Sequence, residues 1–448
     1  MVFYFIVLSF FANLTAASND YITIKYVNHR PLFYSKHTGY FWSIGVNTFM
    51  DSGNNDPLKK LLRSKKEELK EGYEDFYKNL YGQQLKLIKD LGFNALYTWS
   101  NLKFLDNKLP FGIVLFDDGI YTVKTPLLNF EGALPPNGDG NEPCSIGDPY
   151  DEDYQKALDT YLKEAVLPYE SNTQLLVYWL GAEFGLGDSD ATDFSVYVYS
   201  KGVQTHLTNW LEKKHHTISR LNKEWGVSFK NFKEAAATKP LTSTKYQQEL
   251  TEFSVDMIQD WFKLVVKTIR KYDPHHLISS PKLSVWDFEP FLEKAFTLKH
   301  FESFKGVFDL VSVDWYSKMP VHREQGYKNL EKLSLLLHVP VLIAEFGTRQ
   351  SISGWSNTPG ARSVVNTQKE RAERYTTQTT AIFNNCTFIG VGWFRWQDHL
   401  DKTDQFNKGV VKVEDGEIKP YPELMEAMRK TNKEITQSAL SVRCIRSF

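Results

Sequence analysis

Short apolar runs that alternate with amphipathic stretches constrain the fold of this chain more than any other feature. Several runs are apolar throughout, instead of alternating apolar with polar residues, which is typical of parallel strands covered on both faces. The predicted strands are residues 41–46, 95–99, 113–116, 175–180, 277–280, 310–313, 341–344 and 388–394. The predicted helices between them include residues 73–91, 154–166, 247–272, 327–337 and 368–383.

Eight predicted strands separated by helices favour an α/β fold, a single closed (β/α)8 TIM barrel. A doubly wound open sheet is the alternative, but no glycine-rich phosphate-binding turn follows the first strand. The chain of 448 residues has no internal repeat and no low-complexity linker, so we predict one domain over residues 18–448. Residues 22–26 and 31–34 are expected to form a β-hairpin at the barrel floor.

Residues 1–17 have the pattern of a secretory signal peptide. Their apolar run is too short to span a bilayer, and the small residues Thr15 and Ala17 precede a cleavage point before Ser18. No Lys or Arg precedes Lys25, so a buried N-terminal strand is the alternative interpretation. We expect cleavage of this segment and a secreted, extracellular protein.

The charge balance limits the expected partners, and the number of cysteines limits the possible disulfides. Lys and Arg together number 53 and Asp and Glu 54, a balance that gives no electrostatic reason to expect nucleic acid or an anionic membrane as partner. Membrane insertion is not expected either. The three cysteines, Cys144, Cys386 and Cys444, allow at most one disulfide within the chain, and the sequence does not determine its pairing.

Two glutamates come directly after predicted strands. Glu183 comes after the fourth run and Glu345 after the seventh, each with glycines close by. Barrel enzymes place their chemistry at the carboxyl ends of the strands, and a carboxylate there is costly to desolvate unless it has partners or a task. Two facing carboxylates are sufficient for glycoside hydrolysis, one as acid and one as nucleophile or base. A pair of salt-bridged structural residues is the alternative.

Polar and aromatic side chains at other strand ends are candidate substrate contacts. After the eighth run, Trp393 and Trp396 are candidate platforms for the apolar face of a sugar, with barrel packing as the alternative. Asp398 and His399 are candidate ligands for sugar hydroxyls.

Three further strand-end residues are candidates. After the sixth run, the phenol of Tyr316 is expected to donate a hydrogen bond to Glu345. Asn47 and Trp99, after the first two runs, are weaker candidates for the cleft. No metal or other cofactor is expected, because adjacent histidines such as His215-His216 point in different directions and no third ligand stands at metal spacing.

The order of motifs resembles that of the clan of retaining glycoside hydrolases with glutamates after strands four and seven. Within this clan the chain is most similar to the β-agarase family, with β-galactosidase-type relatives next. The matching segments span roughly residues 31–432 and are 41–45 (FWSIG), 91–100 (LGFNALYTWS), 147–151 (GDPYD), 221–226 (LNKEWG), 271–277 (KYDPHHL) and 419–424 (KPYPEL).

This resemblance implies roles for individual residues. Glu183 would be the acid/base and Glu345 the nucleophile, with Tyr316 orienting the nucleophile and no cofactor taking part. Ala182 stands where the clan usually has an asparagine that contacts the sugar 2-hydroxyl. The segment Trp393-Phe394-Arg395-Trp396 matches the family's form only loosely.

The predicted function is therefore that of a secreted retaining β-glycoside hydrolase. Its substrate is expected to be an oligo- or polysaccharide, a galactose-containing or related neutral β-glycan, cleaved by double displacement. A catalytically inactive carbohydrate-binding barrel is one alternative, which Ala182 favours. Another activity of the same clan, such as β-glucanase or β-mannanase, is the other. The sequence leaves the oligomeric state open.

Overall fold

The computed structural model describes residues 20–50, 57–116, 148–181, 201–238, 241–285, 301–316, 320–351, 364–400 and 405–444. The expected signal peptide, Glu183 and Cys144 lie outside these residues. Among the described residues, no helix combines the length and the apolar character needed to cross a membrane.

An antiparallel sheet precedes the barrel. Its three strands are β1 (Thr23–Val27), β2 (Arg30–Ser35) and β3 (Gly39–Phe41), in that order. Phe33 of β2 is fully buried and belongs to one apolar cluster with Leu176 and Leu342 of the barrel interior. The predicted hairpin at the barrel floor is confirmed, and the structure adds a third strand to it.

Eight parallel strands form a closed barrel. Each strand pairs with the barrel strands before and after it in the chain, and the last strand pairs with the first. The single-barrel prediction is confirmed. The barrel strands are β4 (Ser43–Val46), β5 (Ala95–Leu96), β6 (Phe111–Val114), β7 (Leu175–Trp179), β8 (Ile278–Val285), β9 (Leu310–Trp315), β10 (Val341–Phe346) and β13 (Phe388–Trp393). The structure has further strands in two-stranded sheets outside the barrel, which are β11 (Arg349–Gln350), β12 (Val364–Val365), β14 (His399–Leu400), β15 (Gln405–Phe406), β16 (Val411–Glu414) and β17 (Glu417–Pro420).

The fifth barrel strand differs most from its prediction. The apolar run ends at Ser280, but β8 continues to Val285, with a register shift between Ser279 and Lys282 in its pairing with β9. Polar residues continue this strand because their backbone groups pair with β9, which the side-chain pattern does not reveal. The extension brings Lys282 into the barrel.

Large rings fill the barrel interior, and glycines on neighbouring strands make room for them. The ring of Tyr97 lies so close to Gly45 and Gly392 that any side chain there would collide with it. Its hydroxyl donates to Oγ of Ser43 at 2.7 Å, and the indole of Trp179 donates to Oγ of Ser312 at 2.8 Å. The interior is therefore a packed core in which these polar atoms have partners, as barrels of this type require.

Helices cover the barrel, and the predicted ones are present. Four of them have small shifts at their ends, and the helix predicted from residue 327 begins at Pro320. Asp151 caps the helix that begins at Glu152 by accepting the backbone N–H of Tyr154. Thr367 and Glu370 form a capping box at the start of the helix that begins at Gln368. The helices are α1 (Pro57–Leu69), α2 (Tyr73–Asp90), α3 (Glu152–Val166), α4 (Lys201–His215), α5 (Ile218–Trp225), α6 (Phe232–Ala236), α7 (Thr244–Tyr272), α8 (Pro320–Leu337), α9 (Gln368–Asn384) and α10 (Pro422–Ser438).

A disulfide joins Cys386, which precedes β13, to Cys444 near the end of the described chain. The backbone N–H of Cys444 also donates to the carbonyl of Asn28 in the floor hairpin, at 3.0 Å. The disulfide answers the pairing question that the sequence left open, and it ties the C-terminal segment to the barrel floor.

Candidate active site

Glu345 lies near the carboxyl end of β10, with only 2% of its surface exposed. The hydroxyl of Tyr316 donates to its Oε2 at 2.6 Å, and the ammonium of Lys282 donates to its Oε1. Both oxygens of the carboxylate are therefore held by donors. The predicted hydrogen bond from Tyr316 is present because β9 and β10 are neighbours and end at the same edge of the barrel.

Lys282 is a site residue that the sequence analysis missed. Its side chain is completely buried, and its Nζ lies 3.5 Å from Oδ2 of Asp314 in addition to its contact with Glu345. Thr98 places its hydroxyl 3.3 Å from the same nitrogen. A fully buried lysine is rare unless it is paired. The only signal in the sequence is a lysine just beyond an apolar run, which is more often the start of a loop.

Trp99 is the predicted aromatic residue that stays partly exposed. Its ring centroid lies 4.0 Å from Nζ of Lys282, and the ring meets Phe394 edge to face at 6.1 Å between centroids. An indole that is anchored on one side and partly exposed on the other is suited to contact the apolar face of a sugar.

A second lysine also lies close to the site. Lys408 is buried, and its Nζ stands 3.9 Å from the ring centroid of Tyr316 and 5.4 Å from that of Phe394. This cation–π arrangement fixes the phenol that holds Glu345. The residue comes after β15 in the chain and has no strand-end pattern, so no sequence signal singles it out.

The two predicted tryptophan platforms are completely buried. The indole of Trp393 donates to the carbonyl of Lys408 at 2.9 Å and packs against Phe346 and Tyr375. Trp396 packs edge to face on Phe49. Their position corresponds to barrel packing, the alternative interpretation, and stacking on a sugar stays a prediction for both rings.

Asp398 is also buried, and its contact with sugar hydroxyls stays a prediction. Its Oδ1 accepts the backbone N–H of Gly409 at 2.8 Å, and its Oδ2 accepts the hydroxyl of Tyr421 at 2.5 Å. Burial raises the pKa of Asp398 to about 6, although the nearby guanidinium of Arg371 opposes the shift. The neighbouring His399 is half-buried in β14.

Asn47 connects strand ends, and its place in the cleft stays a prediction. Its amide donates to the carbonyl of Ala344 at 3.0 Å, and its side-chain oxygen accepts the hydroxyl of Thr98 at 2.6 Å. It is completely buried. Because Ala344 precedes Glu345, this contact helps to fix the backbone that carries the carboxylate.

The chain segment that ends at Gly181, two residues before Glu183, is bonded to the fifth barrel strand. The backbone N–H of Lys282 donates to the carbonyl of Gly181 at 2.9 Å, where the described part of this segment ends. Ala182 and Glu183 lie outside the described residues.

One group in the described chain has metal-ligand chemistry. The ligand atoms of His215, Glu224 and Glu249 lie within 4.8 Å of one another. However, Glu249 already accepts the indole N–H of Trp225 at 2.9 Å and pairs with Lys245 at 3.1 Å. The ammonium of Lys245 balances the charge of Glu249, so the group is an ion-pair cluster between α4, α5 and α7.

The chain matches the model of a known protein family. The model of glycoside hydrolase family 42, described as Beta-galactosidase, matches residues 148–434. Among curated proteins, beta-galactosidase BgaA of Planococcus sp. (strain 'SOS Orange') is 22% identical over 241 residues, which are 44% of this chain. The aligned part is 33% of BgaA, so the chain matches about a third of that relative's length.

Solved structures share the fold. An agarase, AgWH50C, superposes with a TM-score of 0.73 at 14% identity, over 94% of this chain and 66% of the agarase. An exo-beta-agarase gives 0.73 at 16% identity, over 94% and 65%. A beta-galactosidase from the Antarctic haloarchaeon Halorubrum lacusprofundi gives 0.56 at 15%, over 88% and 58%. These likenesses concern the fold, and each of these proteins is considerably longer than the matched part.

Proposed function

Because the chain belongs to glycoside hydrolase family 42, described as Beta-galactosidase, we propose that it hydrolyses β-linked galactose-containing or related neutral glycans with retention of configuration. One observation carries the proposal: Glu345 is buried at a strand end with Tyr316 and Lys282 on its two oxygens. Such a carboxylate is held in one orientation, as a nucleophile must be.

The proposed reaction has two steps. An oxygen of Glu345 attacks the anomeric carbon, the glycosidic bond breaks, and its electron pair stays on the departing oxygen, which takes a proton from Glu183. Glu183 then removes a proton from water, and that water displaces Glu345 from the anomeric carbon. Two inversions give net retention, and no cofactor enters either step.

The substrate class is inferred from the relatives and from the site. The named relatives are beta-galactosidases and agarases, which favours galactose-containing glycans for this chain. Among the described residues, the site cations Lys282 and Lys408 are engaged, the first by carboxylates and the second by aromatic rings. This favours a neutral sugar over an anionic one.

We also infer secretion. The disulfide between Cys386 and Cys444 supports it, because such bonds persist mainly in oxidising compartments. Expression of the full chain in a eukaryotic secretory system should release protein that lacks residues 1–17. Intact protein retained in the cytosol would contradict this inference.

Hydrolysis by the purified protein is the central test. A panel of aryl β-glycosides and neutral galactans is used, and the anomer of the first product is read by NMR. Glu345→Gln and Glu183→Gln should each lose activity by on the order of 1,000-fold or more. The matched control is Glu426→Gln, an exposed helix glutamate whose partner is Arg429, and it should keep wild-type activity.

The inactive carbohydrate-binding barrel is the second candidate, and Ala182 is the observation that favours it. A mechanism-based fluoroglycoside separates the two functions. Mass spectrometry should find the sugar esterified to the peptide that contains Glu345. Sugar binding without labelling or turnover would establish the binding protein instead.

A further inference from the structure

Three buried ionisable side chains meet on three adjacent barrel strands. Lys282 of β8 is fully buried, Asp314 of β9 is 1% exposed and Glu345 of β10 is 2% exposed. Asp314 is the register partner of Glu345 in the pairing of β9 with β10. One ammonium therefore stands between two carboxylates, and only one of these carboxylates is the proposed nucleophile.

We propose that Lys282 is a positioning residue that changes its main partner during the reaction, from Glu345 to Asp314. This inference rests on the proposed function of Glu345. While Glu345 is a free carboxylate, Lys282 pairs with its Oε1, and Nζ of Lys282 lies 3.5 Å from Oδ2 of Asp314. When Glu345 is esterified, Asp314 takes the ammonium.

The charge balance of the first step requires such a partner. A bond forms between Glu345 and the anomeric carbon, the glycosidic bond breaks, and the proton of Glu183 goes to the leaving oxygen. Glu345 thereby loses its negative charge. A buried ammonium left beside a neutral ester would be strongly unfavourable, because a buried charge without a partner is far costlier than a buried pair. Asp314 is already within reach of it.

A lysine is well suited to this change of partner. Its ammonium is a compact charge with three donors on a flexible stem, whereas the planar fork of arginine holds one carboxylate in a fixed geometry. Thr98 and the ring of Trp99 hold the ammonium from the side of β5, at 3.3 Å from the hydroxyl and 4.0 Å from the ring centroid. Only a small movement of Nζ is then needed to reach Asp314.

The direct test is a crystal structure of the protein trapped with a 2-deoxy-2-fluorogalactosyl group on Glu345. Nζ of Lys282 should then lie about 2.7–2.9 Å from an oxygen of Asp314, the usual length of a charged hydrogen bond. A trapped structure in which Nζ stays on the ester oxygen and no closer than 3.5 Å to Asp314 would overturn the inference.

Kinetics give a second readout. Asp314→Asn should slow the formation of the glycosyl-enzyme, measured as the burst rate with an aryl galactoside, by about 10- to 100-fold with little change in KM. Lys282→Met should show a similar loss, and Lys282→Arg should recover part of it. Asp273→Asn is the matched control, since Asp273 is equally buried but bonds His276 at the other end of β8. It should lower Tm and leave the burst rate unchanged.

The outcomes separate the two proposals. If the wild-type protein cleaves no glycoside and takes no label, the proposed function fails and the inference fails with it. If the wild type is active and Glu345→Gln is not, but Asp314→Asn forms the intermediate at the wild-type rate, only the inference fails. If Asp314→Asn does not fold, the trapped wild-type structure decides.

Discussion

The hydroxyl of Tyr316 donates to Oε2 of Glu345 at 2.6 Å, and both side chains are buried. A hydrogen bond of this length to a carboxylate is strong and fixes the rotamer of the side chain. The proposed nucleophile therefore depends on a neighbour from the sixth barrel strand, which is itself held by Lys408.

Tyr316→Phe should lower kcat/KM by about 10- to 100-fold, because a hydrogen bond to a charged group contributes roughly 1.5–3 kcal/mol. Steady-state kinetics on an aryl galactoside measures the effect, with Tm as the check on folding. The matched control is Tyr272→Phe, because the hydroxyl of Tyr272 also donates to a carboxylate, that of Asp159 at 2.6 Å, but on the outer surface. Equal activity of Tyr316→Phe and wild type would remove Tyr316 from the site.

The two kinds of tryptophan at the strand ends should respond differently to truncation. Trp99→Ala should raise KM about 3- to 10-fold with a small change in stability, because the partly exposed ring is the one available to a sugar. Trp393→Ala should lower the free energy of unfolding by about 3–5 kcal/mol, since its fully buried ring leaves a cavity. Urea unfolding and initial rates distinguish the two, and the reverse pattern would restore Trp393 as the platform.

The fold was predictable because its signal is local. Apolar runs such as residues 341–344 and the helices after them repeat in the order that a barrel requires. The contact between Tyr316 and Glu345 was predictable for the same reason, since both residues stand at the ends of strands that are neighbours in any such barrel. A contact that depends only on the order of the strands can therefore be inferred from a single sequence.

The remaining site residues depend on three-dimensional details. Lys282 lies inside the barrel because of a register shift in β8, and the polar residues around it in the sequence do not indicate that shift. Whether Trp393 faces the cleft or the core depends on the tilt and register of β13, which one sequence does not encode locally. The pairing of Cys386 with Cys444 likewise required the positions of both in space.

Asp398 should make stability depend on pH. Burial raises its pKa in the folded protein to about 6, above the ordinary value of 3.8, so the folded state binds the proton more tightly. This contribution is fully present below about pH 4 and is lost as the pH rises through 6, by a few kcal/mol at most. Asp398→Asn should lack this dependence. Urea unfolding at several pH values measures it, and a wild-type-to-variant difference that stays constant between pH 4 and 7 would contradict it.

The disulfide between Cys386 and Cys444 should stabilise the protein without affecting catalysis. The two residues are 58 apart in sequence, and cross-linking a loop of this length restricts the unfolded chain, which is worth about 2–4 kcal/mol. Cys386→Ser, Cys444→Ser and the double variant should therefore lose the same amount, because the effect belongs to the bond and not to either side chain. Urea unfolding of the oxidised proteins measures the loss.

The bond lies at the barrel floor, away from Glu345, so kcat at 25 °C should be unchanged. A single variant as stable as the oxidised wild type would show that the bond contributes nothing, and a lower kcat would show that the floor and the site are coupled.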